Sequence, residues 1–319
     1  AREIATNVGL GENIIKVSDL KGLIEENPAK AAEAAEKSDG FAEIYPEDKY
    51  TIVKSLQAKG HVVGMTGDGV NDAPALRQAE VGIAVNNATD VAKGAASVVL
   101  TSEGLSNIVD LIKNGRRIYQ RITTWILNKI MRTIQKTVLV VLAFVITGKY
   151  IISAFAMILN MFLTDFVKIS LSTDNVRPSR EPDTWDITGL VKVALVLSSL
   201  MVVESFGLLY IGFKYLGLMT DDQSLYAFTF QILNYSAIFS VFNVRERRHF
   251  WDSSPSKTLL TSLIADIIVA TIISTVGIPD LKAMPLIETL SVIVYFFIFS
   301  LIVNDLIKFI LVKKTGVRW

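Results

Sequence analysis

The sequence predicts a chain of two parts, an α/β domain with a parallel sheet followed by an all-α bundle of six transmembrane helices. The 319 residues are 51% hydrophobic and 20% charged. This average is too apolar for most soluble proteins and too charged for a chain that lies wholly in a membrane. Short apolar runs occupy residues 1–110, and long ones follow Trp125. We therefore expect a first domain at 1–110, a stalk at 111–124 and a transmembrane domain at 125–319.

Helices and strands alternate in the first domain. Residues 29–35, rich in Ala, Glu and Lys, and apolar residues at helical spacing in 52–56 predict two helices. Short apolar runs bounded by turn residues predict buried strands at 62–65, 81–85 and 97–100. Such alternation is typical of a parallel sheet with helices on both faces.

Six long apolar stretches make up the second part. Each is near or above the roughly 20 residues that cross a bilayer core of about 30 Å. They occupy about 125–147, 150–171, 189–213, 226–244, 259–276 and 285–312. The alternative is a large soluble core, but six such helices would leave too little polar surface to cover them. We therefore expect lipid bilayer as the partner of this part.

The loop charges predict the orientation of these helices. Basic residues such as Arg247 and Arg248 are concentrated in the loops on the side of the first domain, and few, such as Lys282, lie in the opposite loops. Basic loops stay in the cytoplasm. Because the number of crossings is even, we expect both termini in the cytoplasm.

Composition excludes several other classes of protein. The net charge is +1, which argues against a nucleic-acid partner because such proteins carry a large basic excess. The sequence has no cysteine and two histidines. Disulfide scaffolds, thiolate zinc sites and cysteine nucleophiles are therefore excluded, and a histidine-rich metal site is disfavoured.

The sharpest local motif runs from Thr66 to Leu76, directly after a predicted strand. Its glycines permit a tight turn, and α/β sheets bind their ligands at the carboxyl ends of strands. Asp68 and Asp72 lie there, four residues apart, and two carboxylates suit Mg²⁺ together with phosphate oxygens. The plainer alternative is that Asp72 caps a helix that starts near Pro74.

This eleven-residue run resembles the hinge motif of P-type ATPases, within the haloacid dehalogenase superfamily. The segment Tyr45-Pro46-Glu47-Asp48-Lys49-Tyr50 resembles the conserved-lysine segment of the same family. The resemblance implies that residues 1–110 form the C-terminal part of a haloacid-dehalogenase-like, Rossmann-type phosphorylation domain. It also implies Mg²⁺ and ATP as cofactors, with the nucleotide bound outside this sequence.

The same resemblance implies roles for four residues. Lys49 would contact the phosphoryl group and neutralise charge as the group transfers. Asp68 would hold Mg²⁺, with Asp72 as a further candidate ligand. Asn71 and Asp72 would order the phosphoryl site.

The likeness extends into the membrane part, whose spans correspond to helices five to ten of the family. The segments Leu163-Thr164-Asp165, Asp174–Ser179 and Pro182-Asp183-Thr184-Trp185 look most like the plasma-membrane proton pumps. The family's phosphorylated aspartate lies in Asp-Lys-Thr-Gly-Thr, which this sequence lacks. We therefore expect an N-terminal half as partner, on the same or a separate polypeptide, and a chain that is inactive alone.

Charged residues inside the predicted spans are candidates for ion transport, because a charge near mid-bilayer costs about 2.5–3.5 kcal/mol on insertion scales. Counted from the outer turn at Lys149, Asp165 lies level with Arg132, and Lys136 lies one helical turn further out on the face of Arg132. We expect Asp165 to bind a proton that an approaching Arg132 or Lys136 expels. A static Asp165–Arg132 ion pair is the alternative, and Lys168 is another possible partner for Asp165.

Other polar residues of the spans are secondary candidates for the same site, namely Asn160, Thr164, Lys168 and Glu204. Asp266, Glu288 and Asp305 are expected near the membrane interfaces, where water can reach them. The resulting functional prediction is ATP-driven proton export at the plasma membrane. A pump for Na⁺, K⁺, Ca²⁺ or Mg²⁺, and a non-catalytic membrane subunit, remain alternatives.

Overall fold

The computed structural model describes residues 1–104, 106–179 and 185–316. The chain forms two compact units, Ala1–Leu111 and Ile112–Trp319. Of the motifs named above, Pro182, Asp183 and Thr184 lie outside the described residues.

The first unit alternates short strands and helices along the chain. Its elements, in order, are α1 (Arg2–Asn7), β1 (Ile14–Lys16), α2 (Val17–Glu26), α3 (Pro28–Lys37), β2 (Gly40–Ala42), α4 (Pro46–Ala58), β3 (Gly64–Gly67), α5 (Ala73–Gln78), β4 (Val81–Ala84), α6 (Asp90–Ala95) and β5 (Val98–Val99). A 3₁₀ turn, Val70–Asp72, joins β3 to α5. Both sheets are parallel, one in the order β1-β2 and the other in the order β3-β4-β5.

The sheet β3-β4-β5 contains the three strands that the sequence predicts. β3 begins at Gly64, later than the apolar run, although the Val81 N–H already donates to the Val63 carbonyl at 3.2 Å. Gly82 lets α5 approach β4, since a Cβ there would lie 2.3 Å from the Leu76 carbonyl oxygen. The pair β1-β2 was not predicted, because three-residue strands leave too short a pattern.

The second unit consists of long helices. They are α7 (Ser106–Thr147), α8 (Ala154–Ser170), α9 (Ile187–Tyr215), α10 (Asp222–Val244), α11 (Lys257–Val276), α12 (Leu286–Ile298) and α13 (Asn304–Thr315). A π-helical turn, Phe299–Val303, joins α12 to α13, so the two form one span. The described residues therefore contain six helices long and apolar enough to cross a membrane. Together with the parallel sheets of the first unit, they confirm the predicted architecture.

The first span is much longer than a bilayer requires. α7 contains 42 residues, which corresponds to about 63 Å at 1.5 Å per residue. The predicted stalk at 111–124 is therefore the N-terminal part of the same continuous helix that crosses the membrane.

α10 lies at the centre of the bundle. In its most apolar window 89% of the residues are buried, against 28–44% in the other spans. Phe228, Phe230 and Tyr235 are among its fully buried side chains. Polar side chains tie neighbouring helices to it, because Gln135 donates to Ser236 at 2.9 Å and Asn128 donates to Ser240 at 3.0 Å. The buried polar groups of this helix, such as Asn234 and Ser236, are thus removed from lipid, which sets the environment of the candidate ion site.

Candidate functional site

The first cluster forms where β3 ends. Lys49 lies on α4, in the turn that follows Pro46 at the helix start. Its ammonium group donates to Asp72 Oδ1 at 2.5 Å. The other carboxylate oxygen, Oδ2, accepts the backbone N–H groups of Asp68 at 3.0 Å and Gly69 at 3.1 Å. The 3₁₀ turn thus brings Asp72 to Lys49 and fixes both oxygens of Asp72.

The environment keeps Asp72 ionised. Burial raises its pKa, but the hydrogen bonds from Lys49 and from the N–H groups of Gly69 and Asp68 outweigh burial, so the pKa of Asp72 lies below its ordinary value. An ionised Asp72 holds the Lys49 ammonium at the strand end, where that cation can face a phosphate group.

Gly67 makes room for this carboxylate. A Cβ at position 67 would lie 2.5 Å from Asp72 Cβ and 2.9 Å from Asp72 Oδ2. At Gly69 the corresponding distance to Oδ2 is 3.8 Å, an ordinary contact. The first glycine of the Gly-Asp-Gly turn is therefore required by close packing.

Asp68 and Asn71 have exposed side chains beside this cluster. No described residue donates a hydrogen bond to the Asp68 carboxylate, which is free to bind a cation. Mg²⁺ commonly takes one or two carboxylates and completes its shell with water and phosphate oxygens. The site fits that pattern, although no group of three acidic or histidine residues occurs among the described residues. Asp72 is disfavoured as the further ligand, because Lys49 and two N–H groups already occupy its oxygens.

In the membrane unit, Asp165 does not meet Arg132 as the hairpin count predicts. Its carboxylate accepts a hydrogen bond from Lys168 at 2.5 Å, and the side chain of Asp165 is 50% exposed. The buried face of α8 instead carries Asn160, Thr164 and Val167. Asp165 is one residue past Thr164, which rotates it by about 100° away from that face.

Arg132 is buried, and the carboxylate that attracts it most strongly is Asp266 on α11, with Asp165 second. Asp266 is 5% exposed, so the expectation that it lies in water at an interface was wrong. Its Oδ1 accepts from the Asn234 amide, and Asn234 accepts from Asn160, each at 3.2 Å. Arg132 Nε and Nη2, and Asp266 Oδ2, have no hydrogen-bond partner among the residues that the structure describes. The four helices α7, α8, α10 and α11 thus meet at one polar cluster.

The remaining candidates occupy different positions. Thr164 is buried and donates to the Asn160 carbonyl of its own helix at 2.7 Å. Lys136 is half-buried and has no hydrogen bond or ion pair with another described residue. Glu204 is buried in the middle of α9 and faces Asn304 on α13, so it belongs to another part of the bundle.

The place of Asp266 in this cluster was not predicted from the sequence. One signal could have identified it, since Asp266 lies ten residues after the Ser256 cap that begins α11, near the middle of that span. A mid-span acid needs a partner, and Arg132 is the mid-span cation of α7. Asp305 is also buried, at 1% exposure, and pairs with Lys308 and His249.

Comparisons with known proteins agree with both halves of this description. Residues 20–80 match a family model described as haloacid dehalogenase-like hydrolase. A protein of Methanocaldococcus jannaschii that carries the name of a cation-transporting ATPase is 38% identical over 98% of this chain and 39% of its own length. One of Dictyostelium discoideum that carries the name of a plasma membrane ATPase is 33% identical over 87% of this chain and 27% of its own length. The chain therefore spans less than half the length of these relatives.

The first unit is thus a haloacid dehalogenase-like hydrolase domain, joined to a multi-pass membrane bundle. With the hinge motif and these relatives, the chain belongs to the P-type ATPase family.

Proposed function

We propose that this chain is part of an ATP-driven pump that exports protons across the plasma membrane through an aspartyl-phosphate intermediate. One observation carries the proposal, namely that two kinds of site occur in the same chain. Lys49 and Asp72 are paired at the end of a strand, and a buried Arg132 is attracted by Asp266 between apolar spans. The relatives named above carry the names of a cation-transporting and a plasma membrane ATPase, which supports the same class of activity.

The phosphoryl site would use this chain's residues for charge and position. Lys49 would neutralise the oxygens of the transferring phosphoryl group, held there by Asp72. Asp68 would hold Mg²⁺, which neutralises phosphate charge when bound, and Asn71 would order the group from the exposed side. ATP and the phosphorylated aspartate would come from the N-terminal half of the pump, so this chain alone would not hydrolyse ATP.

The rest of the pump would also cover the outer face of α8. Asp165 lies there among large apolar side chains that this chain leaves exposed, namely Met161, Phe162, Phe166 and Ile169. Covering this face would remove Asp165 from its present surroundings and make it a buried carboxyl group, as a proton site requires.

Arg132 would then be the switch. It is attracted by Asp266 on α11 and by Asp165 on α8. While Arg132 stays with Asp266, Asp165 can hold a proton. If phosphorylation moves α7, Arg132 would approach Asp165, favour its ionised form and expel the proton. Lys136, one turn along the same face, would add to that positive potential.

The transported ion is better described as a proton than as a divalent metal. Ca²⁺ requires six or more oxygen ligands, several of them anionic. The cluster instead places two cations, Arg132 and Lys136, beside isolated carboxylates, and the described residues contain no cluster of three acidic groups. A pump in which phosphorylation depends on Na⁺, K⁺ or Ca²⁺ would contradict the proton assignment.

The basic loops favour an orientation of the spans in which both termini lie in the cytoplasm.

The test of the proposed function is transport by the complete pump in liposomes, with proton uptake and ATP hydrolysis measured together. We expect Asp165→Asn to abolish transport, whereas Glu288→Gln, at the start of α12, serves as the matched carboxyl control. Wild-type transport by Asp165→Asn would refute the switch. Absence of ATP hydrolysis by the complete protein would instead favour a non-catalytic subunit.

A further inference from the structure

A second buried carboxyl group lies outside the Arg132 cluster. Glu204 is 6% exposed near the centre of α9, which runs from Ile187 to Tyr215. The side chain of Asn304 on α13 lies within hydrogen-bonding reach of it. Its Oε2 atom is inaccessible to solvent and has no hydrogen-bond partner in the part of the chain that the structure describes. The carboxyl group therefore has one polar neighbour where an ionised acid would need several.

The described residues supply no cation that compensates this acid. Among residues 1–104, 106–179 and 185–316, no lysine, arginine or histidine forms an ion pair with Glu204. The titratable side chain that interacts with it electrostatically is Tyr295 on α12, whose hydroxyl donates instead to the Glu204 backbone carbonyl at 3.0 Å. A buried carboxylate without a partner charge is strongly disfavoured, and such a group takes up a proton.

The surrounding acceptors also favour a proton over a metal ion. Asn304 Oδ1, like Glu204 Oε2, is buried and receives no hydrogen bond from any described residue. Protonation converts one carboxyl oxygen into an O–H donor, so a single proton can satisfy an acceptor and remove the charge. Ser300, one turn before Asn304, is buried with an unpartnered hydroxyl, which adds a further polar group on the same span.

The backbone beside this acid is irregular. The π-helical turn Phe299–Val303 ends directly before Asn304. Such turns interrupt the regular hydrogen-bond ladder, and often occur at functional sites. α9 packs closely against this span, because a Cβ at Gly207 would lie 3.3 Å from the Tyr295 hydroxyl. A change of the π turn would therefore move Asn304 relative to Glu204.

We propose that Glu204 is a second proton-binding site of the membrane unit, separate from the Arg132 cluster, and that rearrangement of the π turn controls its proton. On release, the O–H bond of Glu204 breaks, its electron pair stays on the carboxylate, and a water molecule accepts the proton. This proposal rests on the proposed proton pump and adds a second ion per cycle to it.

The test uses the complete pump that contains this chain, reconstituted in liposomes, with Glu204→Gln and the control Glu288→Gln. Infrared spectra should show a protonated-carboxyl band that Glu204→Gln removes and Glu288→Gln retains. The number of protons moved per ATP should halve in Glu204→Gln and remain unchanged in the control.

Each other result overturns the proposal. If Glu204→Gln leaves every protonated-carboxyl band at its wild-type intensity, Glu204 is ionised, and a lost band with an unchanged proton-to-ATP ratio shows a permanently protonated structural acid. If Glu204→Gln does not fold, Glu204→Asp keeps the carboxyl group and should preserve the wild-type ratio, and a halved ratio there contradicts the proposal. Failure of the wild-type pump to move protons would refute the proposed function instead.

Discussion

Replacing Gly67 by alanine tests how the Gly-Asp-Gly turn holds Asp72. The new Cβ would lie 2.5 Å from Asp72 Cβ, whereas carbon atoms pack best at about 3.5–4.0 Å, so Asp72 has to move by roughly 1 Å. The carboxylate accepts N–H bonds at 3.0 and 3.1 Å from Asp68 and Gly69. A shift of that size takes both bonds beyond the usual limit of about 3.2 Å.

The loss can be estimated from those two bonds. A hydrogen bond to a charged group contributes about 1.5–3 kcal/mol, so losing two lowers the local free energy of unfolding by at least about 3 kcal/mol. Opening of β3 and β4 should then become roughly 100-fold more frequent, since about 1.4 kcal/mol corresponds to a factor of ten. Hydrogen exchange with mass spectrometry, on peptides that cover residues 64–84 of the purified chain in detergent, measures this change.

Gly69→Ala is the matched control. Its Cβ would lie 3.8 Å from the same Asp72 Oδ2 atom, and Gly69 has φ −109° and ψ 167°, a conformation that alanine adopts without strain. We expect its exchange to stay within about twofold of wild type. Equal exchange in the two variants would refute the steric explanation of Gly67.

Three further predictions concern packing, a buried ion pair and pH. Gly82→Ala should lower the free energy of unfolding by about 1–3 kcal/mol, because the new Cβ would lie 2.3 Å from the Leu76 carbonyl oxygen. Unchanged hydrogen exchange of residues 81–84 would contradict this prediction. Asp174→Asn should lower the free energy of unfolding of the detergent-purified chain by about 3–5 kcal/mol, because the buried Arg245 guanidinium would lose its counter-charge. In the wild-type chain Arg245 Nε lies 2.9 Å from Asp174 Oδ2. A thermal melting curve identical to that of the wild type would contradict this prediction. Hydrogen bonds from a lysine side chain and a backbone N–H lower the pKa of Asp48. The contribution of this carboxylate to the stability of the fold is therefore present above about pH 4 and is lost as the pH falls through the lowered pKa. Acid unfolding of Asp48→Asn should lack this component.

The local backbone of the proposed phosphoryl site could be predicted closely from the sequence. The run Thr66–Leu76 joins strand, turn and helix within eleven residues, so its geometry depends mostly on local backbone preferences. The pairing of Lys49 with Asp72 joins residues 23 positions apart and was not predicted, because the family resemblance implied only that each belongs to the phosphoryl site. The pair β1-β2 could not be foreseen, since strands of three residues acquire their pairing from tertiary packing.

The proposed ion site could be predicted only in part from the sequence. Counting from the turn at Lys149 gives the depth of Asp165, but not the face of α8 on which it lies. Each residue rotates a helix by about 100°, so Thr164 is buried while Asp165, one step on, is half-exposed and held by Lys168.

The amino-acid sequence by itself determined the two-part architecture, the six apolar spans and the residues of the Gly-Asp-Gly turn, because composition, periodicity and local turn chemistry are properties of neighbouring residues. The tertiary structure alone decided that the carboxylate attracting Arg132 most strongly is Asp266, and that Glu204 has no ion-pair partner among the described residues. These partners lie on different helices, whose rotation and packing are set by all the side chains of the bundle together.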